Sequence, residues 1–144
     1  MSEPFPRVPV SRMLGRGITR RCARCGGGHL FKRWVSMVED CPRCGHRFER
    51  EDGYWLGSIT INTAAMLIGF AIAFVSTTAL TWPDPNWTLV LVVGVLANII
   101  VPIVFHPISR TLWIAVEIAA NPISEEEERA AHDRVAERLL GDVP

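Results

Sequence analysis

Two long stretches without a charged residue dominate the pattern of hydrophobic and polar positions along the chain. Residues 53–83 form one run of 31 uncharged residues, and residues 85–109 form a second run of 25. A helix needs about 20 apolar residues to cross a bilayer, because each residue advances it about 1.5 Å through a core about 30 Å thick. We therefore predict membrane-spanning helices near residues 58–81 and 87–106. The alternative is a pair of buried core helices in a soluble protein, where uncharged runs of this length are rare.

The connection between the two runs has the features of a tight turn at a membrane surface. It reads TWPDPNW, in which Pro83 and Pro85 stop helices. Trp82 and Trp87 flank the turn, where aromatic residues are enriched at the level of the lipid headgroups. The pattern predicts a two-helix transmembrane hairpin over residues 53–108.

Small residues recur every four positions on the first predicted span, at Ala65, Gly69, Ala73 and Thr77. Such a stripe lets two helix backbones approach closely in lipid. Positions counted from the turn predict that Gly69 contacts the second helix near Asn98 and that Asn62 has a polar partner near His106. The alternative is that the small face joins two copies of the chain.

The sequence predicts two more helices beyond the second run. Pro107 is expected to break or kink the span, and the few charges in residues 109–121 indicate an amphipathic helix at the membrane surface. A bent continuation of the second span is the alternative. Ser124 and Glu127 then form a capping box that opens an acidic, solvated helix, which ends at Gly141. We expect this helix to lean on the cysteine-containing region or on a partner, with its acids near the basic N-terminal region.

Charge is segregated along the chain, although the formal net charge is zero. Residues 1–56 contain 11 Lys and Arg against 6 acids, whereas residues 110–144 contain 4 Arg against 8 acids. The turn has no Lys or Arg and the segment before the first run is rich in Arg, so the positive-inside rule predicts that both termini are cytoplasmic. Residues 1–19 contain three prolines and no apolar core, so we expect a disordered lead-in rather than a signal peptide.

All four cysteines lie in two Cys-X-X-Cys pairs shortly before the first run, at Cys22, Cys25, Cys41 and Cys44. The pairs are 15 residues apart, which is the spacing of a tetrahedral Cys₄ zinc site. Gly26 and Gly45 follow the pairs, where a residue able to take positive φ closes each knuckle. A reducing cytoplasm also favours metal binding over disulfides. We predict that the four cysteines are the ligands of a structural Zn²⁺ in a ribbon over residues 20–52, which is too small to fold on hydrophobic burial alone.

Other chemistries fit the cysteines less well. A redox Cys-X-X-Cys normally occurs as one pair on a βαβ scaffold, and the glycine-bearing knuckles favour zinc over an iron–sulfur cluster. His29 and His46 lie nearby, but four thiolates complete a coordination sphere, so both are interpreted as residues that do not bind the metal.

The segment between the pairs fits either a helix or a hairpin. Eight basic residues between Arg20 and Arg50 favour attraction to anionic lipids over nucleic-acid binding, because acids are interleaved with them.

Three stretches together resemble a known family. They are the two cysteine pairs, the segment from Glu51 to Asn62, and the segment PISRTLW from Pro107 to Trp113. The pattern is similar to the bacterial domain-of-unknown-function family 983 over about residues 20–122, although Gly53-Tyr54 stands where many members have Gly-Pro. The resemblance implies a bacterial cytoplasmic (inner) membrane protein: a small zinc ribbon, an α-helical transmembrane hairpin and cytoplasmic helices over residues 109–144. The family has no established activity.

Three functions are weighed. The first is a non-enzymatic membrane adaptor, in which the zinc ribbon and the acidic helix bind a membrane or membrane-associated protein, with a homo-oligomer left open. The second is an assembly or metal-handling factor for a membrane respiratory complex, because soft thiolates bind Cu(I) and genes of the family lie near terminal-oxidase assembly genes in some bacteria. The third is an enzyme, which the sequence disfavours because it offers no nucleophile–base pair and no phosphate loop. His106 and Glu117 are the candidate titratable groups near the predicted membrane interface, but a lone histidine at a helix end is more often structural than catalytic.

Overall fold

A computed structural model describes residues 8–141, and within them it has four helices and one small irregular domain. The helices are α1 (Val10–Ile18), α2 (Leu56–Leu80), α3 (Trp87–Ala120) and α4 (Glu125–Gly141). Residues 20–52, which we call the ribbon, lie between α1 and α2. The segment between the cysteine pairs is a hairpin rather than a helix, because Phe31 and Met37 form an antiparallel bridge.

Helices α2 and α3 form an antiparallel pair, and both are long and apolar enough to cross a membrane. The side chain of Asn86 starts α3 by accepting a hydrogen bond of 3.2 Å from the backbone N–H of Leu89. Only 6% and 11% of the residues in the most apolar windows of the two helices are buried. Their large aliphatic side chains are therefore mostly exposed, which is unlike the core helices of a soluble protein.

The predicted contacts between the two helices are confirmed to within one helical turn. A Cβ on Gly69 would lie 2.9 Å from a methyl group of Val101, so this glycine is where the two backbones come close. Asn62 donates a hydrogen bond of 3.3 Å to the carbonyl oxygen of Pro102. The small face of α2 therefore packs against α3 within the same chain.

Helix α3 continues for 34 residues through both Pro102 and Pro107, so the predicted separate surface helix over residues 109–121 is wrong. Pro107 has no N–H to donate to the carbonyl oxygen of Ile103, one turn earlier. The indole N–H of Trp34 in the ribbon donates to that oxygen instead, at 2.9 Å. The end of the helix is held by burial against the ribbon, since Ile114 and Ala115 are almost fully buried.

The expected disordered lead-in over residues 1–19 is also wrong where the structure describes it, because residues 10–18 form α1. This helix packs on the last part of α3, and Gly17 allows the approach, since a Cβ there would lie 3.0 Å from Cα of Leu112. The hydroxyl of Thr111 donates a buried hydrogen bond of 2.6 Å to the carbonyl oxygen of Gly17. Helix α1 is short, so its amphipathic pattern, with Met13 and Leu14 packed against the core, was the available signal, and the contact with α3 stabilises it. Residues 1–7 lie outside the described part of the chain.

Helix α4 begins with the predicted capping box. The backbone N–H of Ser124 donates to the Glu127 carboxylate at 2.8 Å, and the N–H of Glu127 donates to the Ser124 hydroxyl at 3.3 Å. The helix then lies on the ribbon, with Ala131 buried and its carbonyl group against Gly45. The acidic helix therefore contacts the cysteine region, as predicted.

Candidate metal centre

The first cysteine pair lies on a tight backbone knuckle. The N–H of Gly26 donates to the carbonyl oxygen of Cys22 at 2.8 Å, and the N–H of Cys22 donates to the carbonyl oxygen of Gly27 at 2.9 Å. Gly26 has a φ of 74°, a conformation that favours glycine. The N–H of Gly27 also points at the sulfur of Cys25, at 3.3 Å. The loop thereby turns both sulfurs to one side.

The second pair repeats this backbone pattern with the same hydrogen bonds. The N–H of Gly45 donates to the carbonyl oxygen of Cys41, and the N–H of Cys41 donates to the carbonyl oxygen of His46, both at 2.9 Å. Gly45 has a φ of 66°. A Cβ at this position would also collide with the backbone of Ala131 in α4, so only glycine fits both the turn and the packing.

The two knuckles bring the predicted ligands together. The sulfurs of Cys22, Cys25, Cys41 and Cys44 all lie within 4.8 Å of one another. Cys22 and Cys44 are 3.9 Å apart and Cys25 and Cys41 are 3.6 Å apart, measured between sulfurs. A tetrahedral ion with metal–sulfur bonds of about 2.3 Å requires sulfur–sulfur separations of about 3.8 Å. No disulfide links the four cysteines, so this group could hold a metal ion.

The sulfurs are too close to carry four negative charges without a cation. A hydrogen bond between Cys25 and Cys22 raises the pKa of Cys22 and lowers that of Cys25, so the thiols share their protons as a group. Burial adds to the rise for Cys22. A bound metal ion would supply the missing positive charge and allow all four thiols to ionise.

One arginine from α1 supports the first knuckle. The guanidinium of Arg16 donates to the carbonyl oxygens of Ala23 and Arg24, at 3.1 and 2.8 Å. These are the two residues between Cys22 and Cys25. The contact fixes the loop from outside and places a positive charge beside a cluster that is anionic when ionised.

Two arginines from α4 support the second knuckle in the same manner. Arg134 donates to the carbonyl oxygen of Gly45 at 2.8 Å, and Arg138 donates to that of Cys41 at 3.2 Å while also pairing with Asp40. The sequence analysis missed these roles. The available signal was that the α4 arginines are four residues apart, at 134 and 138, and therefore share one helix face.

Arg50 joins the ribbon to both following helices. Its guanidinium donates to both carboxylate oxygens of Glu117 in α3, at 2.8 and 2.9 Å, and to both oxygens of Glu127 in α4, at 2.6 and 2.8 Å. Burial opposes the charge on Glu127, but the hydrogen bonds from Arg50 and Ser124 outweigh it and lower its pKa to about 2. Glu117 is thus an ion-pair partner of Arg50. A second pair, Arg24 with Glu128 at 2.5 Å, links α4 to the first knuckle.

The histidines lie outside the cysteine group. His29 is exposed, whereas His46 is buried with its ring edge-on to Phe48 at a centroid distance of 5.9 Å. Burial, and then the charge of Arg24, lower the pKa of His46 to about 4, so this ring is neutral at pH 7. His106 lies in α3 and is not among the residues that meet at the cluster.

Comparison with protein families finds one match, to the family described as "Protein of unknown function (DUF983)", over residues 31–118. The matched segment includes the second knuckle, α2 and most of α3, and it begins after Cys22 and Cys25. Comparison with curated proteins and comparison with solved structures each found no match. The match extends over more than half of the chain and agrees with the resemblance seen in the sequence. The chain therefore belongs to the DUF983 family.

Proposed function

We propose that the protein is a non-enzymatic membrane adaptor, which holds a zinc-stabilised ribbon at a fixed height on the cytoplasmic face of a bacterial inner membrane and presents it to a protein partner. In this proposal α2 and α3 cross the bilayer and both termini are cytoplasmic. The ribbon, α1 and α4 form the surface that the partner binds.

The observation that carries this proposal is that α3 belongs to two environments. From Trp87 to Val104 most of its large aliphatic side chains are exposed, whereas Ile114, Ala115 and Ile118 are buried in one core with the cysteines. At about 1.5 Å per residue, 34 residues extend about 51 Å, which is well beyond a bilayer core of about 30 Å. One continuous helix thus connects the ribbon rigidly to the apolar hairpin.

Zinc is the metal proposed for the cluster. The sulfur separations suit a tetrahedral thiolate site, and three of the four cysteines are almost completely buried. Four protein thiolates leave no open position for water or substrate, as expected of a structural rather than a catalytic ion. This closed coordination supports a binding role over an enzymatic one.

The metal can be tested on purified protein in detergent. We expect one zinc per chain by elemental analysis, and loss of that zinc in Cys22→Ser and in Cys44→Ser. Ser36→Ala is a matched control, since Ser36 is exposed outside the cluster. Iron in place of zinc, or well-folded protein without metal, would contradict the proposal.

Metal handling is the competing function, and the same material distinguishes it. A permanent structural ion should survive incubation with Cu(I) held by a weak competing ligand. Stoichiometric replacement of zinc by copper without unfolding would favour a metal-handling factor instead, since thiolates have high affinity for Cu(I).

The adaptor role is tested by crosslinking in native membranes. A partner should be captured by the wild type and lost in the charge-reversal variant Arg43→Glu/Arg47→Glu, which alters two exposed residues of the ribbon. This variant should retain one zinc per chain. A loss of the crosslinked partner would then result from the altered surface charge and not from unfolding of the ribbon. Equal capture by both proteins would exclude this face of the ribbon as the binding surface.

A further inference from the structure

The hairpin of the ribbon has an exposed apolar tip. We call residues 32–36 the tip; they follow Phe31 and precede Met37, the two residues of the antiparallel bridge. All five tip residues are exposed, including Trp34 at 50% and Val35 at 58%. The other large apolar side chains of the ribbon are buried or half-buried, so Trp34 and Val35 are its exposed exceptions.

The tip lies at the level where the exposed apolar surface of α3 ends. The indole N–H of Trp34 donates to the carbonyl oxygen of Ile103, at 2.9 Å. Ile103 and Val104 are both more than half exposed, and they end the run of exposed aliphatic residues that begins near Trp87; after them only Val116, at 37%, is an exposed large aliphatic residue of α3. Beyond this point α3 enters the core of the ribbon. The tip is therefore adjacent to the surface that would face lipid.

The surroundings of the tip are positively charged. Residues 20–38 contain five basic residues and no acid. Lys32 and Arg33 are exposed on the tip itself, and the guanidinium of Arg20 lies over the ring of Trp34, at 5.6 Å from its centroid. An aromatic ring at headgroup level with cations around it is a usual arrangement for binding an anionic membrane surface.

We propose that the tip is a lipid-binding finger. Trp34 and Val35 insert into the interface of the bilayer that α2 and α3 span, and Lys32, Arg33 and Arg20 bind the phosphates of anionic phospholipids. The inference rests on the membrane location proposed above. The tip is continuous with the apolar surface of α3. This position favours lipid as the binding partner, because an acidic protein surface would not require the tip to lie at the end of the apolar part of α3.

The position of the tip can be measured on the full chain reconstituted in nanodiscs. With 5-fluorotryptophan at all five tryptophans, the Trp34 signal is identified by its absence in Trp34→Phe. We expect that signal to be broadened by a lipid carrying a nitroxide at its headgroup. Broadening by a water-soluble nitroxide alone would overturn the proposal.

Lipid preference is the second readout, measured as the association of spin-labelled phosphatidylglycerol relative to spin-labelled phosphatidylcholine. We expect a preference for phosphatidylglycerol in the wild type and a severalfold loss in Lys32→Glu/Arg33→Glu. The control Arg43→Glu/Arg129→Glu carries the same change of charge on the second knuckle and α4, and it should keep the preference. Retained zinc in both variants shows that they are folded.

The outcomes separate this inference from the proposed function. Equal lipid preference in the wild type and the tip variant would overturn the lipid-binding finger while leaving the adaptor intact. Loss of protein crosslinks in the tip variant with unchanged lipid preference would assign the tip to a protein partner instead. Release of the wild type from membranes by alkaline carbonate would contradict the membrane hairpin itself.

Discussion

At the scale of single residues, Arg50 connects the ribbon to both α3 and α4. It is the last basic residue before the apolar run, and its guanidinium makes four hydrogen bonds to two carboxylates from different helices. Arg50 is 14% exposed and Glu117 is 12% exposed, so this pair is largely removed from water. Loss of one partner would leave a charge without compensation, which costs much more than breaking a surface pair.

We predict that Arg50→Gln lowers the free energy of unfolding by about 3 kcal/mol, because it leaves the carboxylates of Glu117 and Glu127 close together without their cation. Denaturant unfolding in detergent would measure this. Arg129→Gln is the matched control, since Arg129 is 78% exposed and its partner Glu125 is 91% exposed. We expect little change for the control. Equal effects of the two substitutions would show that Arg50 is not a structural junction.

At the scale of elements, α3 shows how a helix passes a proline inside a protein. The proline leaves a carbonyl oxygen without its helical donor, and the ribbon supplies a donor through Trp34. The hydrogen bond thus compensates for Pro107 and attaches the ribbon to the helix. Neither effect is visible in the local sequence of α3, because the donor lies 69 residues away from its acceptor.

A double-mutant cycle tests this compensation. Trp34→Phe removes the donor and should cost about 1 kcal/mol, a typical value for one hydrogen bond. In the Pro107→Ala background the helix regains its own N–H, so the same substitution should cost much less. The coupling free energy, measured by unfolding, should therefore be close to 1 kcal/mol. Equal costs in both backgrounds would mean that Trp34 stabilises the protein only by packing.

The contact between α2 and α3 gives another prediction. Gly69→Leu should destabilise the monomer by about 2 kcal/mol, because the new side chain overlaps Val101 and forces the helices apart. Ala64→Leu is the control, as Ala64 is exposed on α2. Unfolding in mixed micelles measures both variants. A Gly69→Leu protein with unchanged stability but altered self-association would instead support the interpretation that this face joins two copies.

At the scale of the whole molecule, the ribbon and the hairpin share α3 and cannot be oriented independently. The proposed topology follows from the positive residues before α2 and their absence from the turn. We predict that Asp84→Cys is labelled by a membrane-impermeant maleimide in intact cells. Glu126→Cys, on the exposed start of α4, should be labelled only after lysis. The reverse pattern would place the ribbon outside the cytoplasm.

The sequence by itself determined the parts that depend on local spacing. The four cysteines, the two apolar helices, the capping box of α4 and the contact near Gly69 were all predicted from short-range patterns, because knuckles, helix ends and helix faces repeat over a few residues. The family resemblance rested on the same stretches and was confirmed by the match over residues 31–118.

Only the tertiary structure decided how these parts are joined. Helix α1 is held by the backbone contact at Gly17, and α3 continues past Pro107 because Trp34 supplies a donor and the ribbon buries its end. Arg50, Arg134 and Arg138 acquire their roles from carbonyl and carboxylate groups that are distant in sequence. Local rules of helix termination predicted the wrong outcome at Pro107, because long-range hydrogen bonding and burial together outweighed the lost backbone bond.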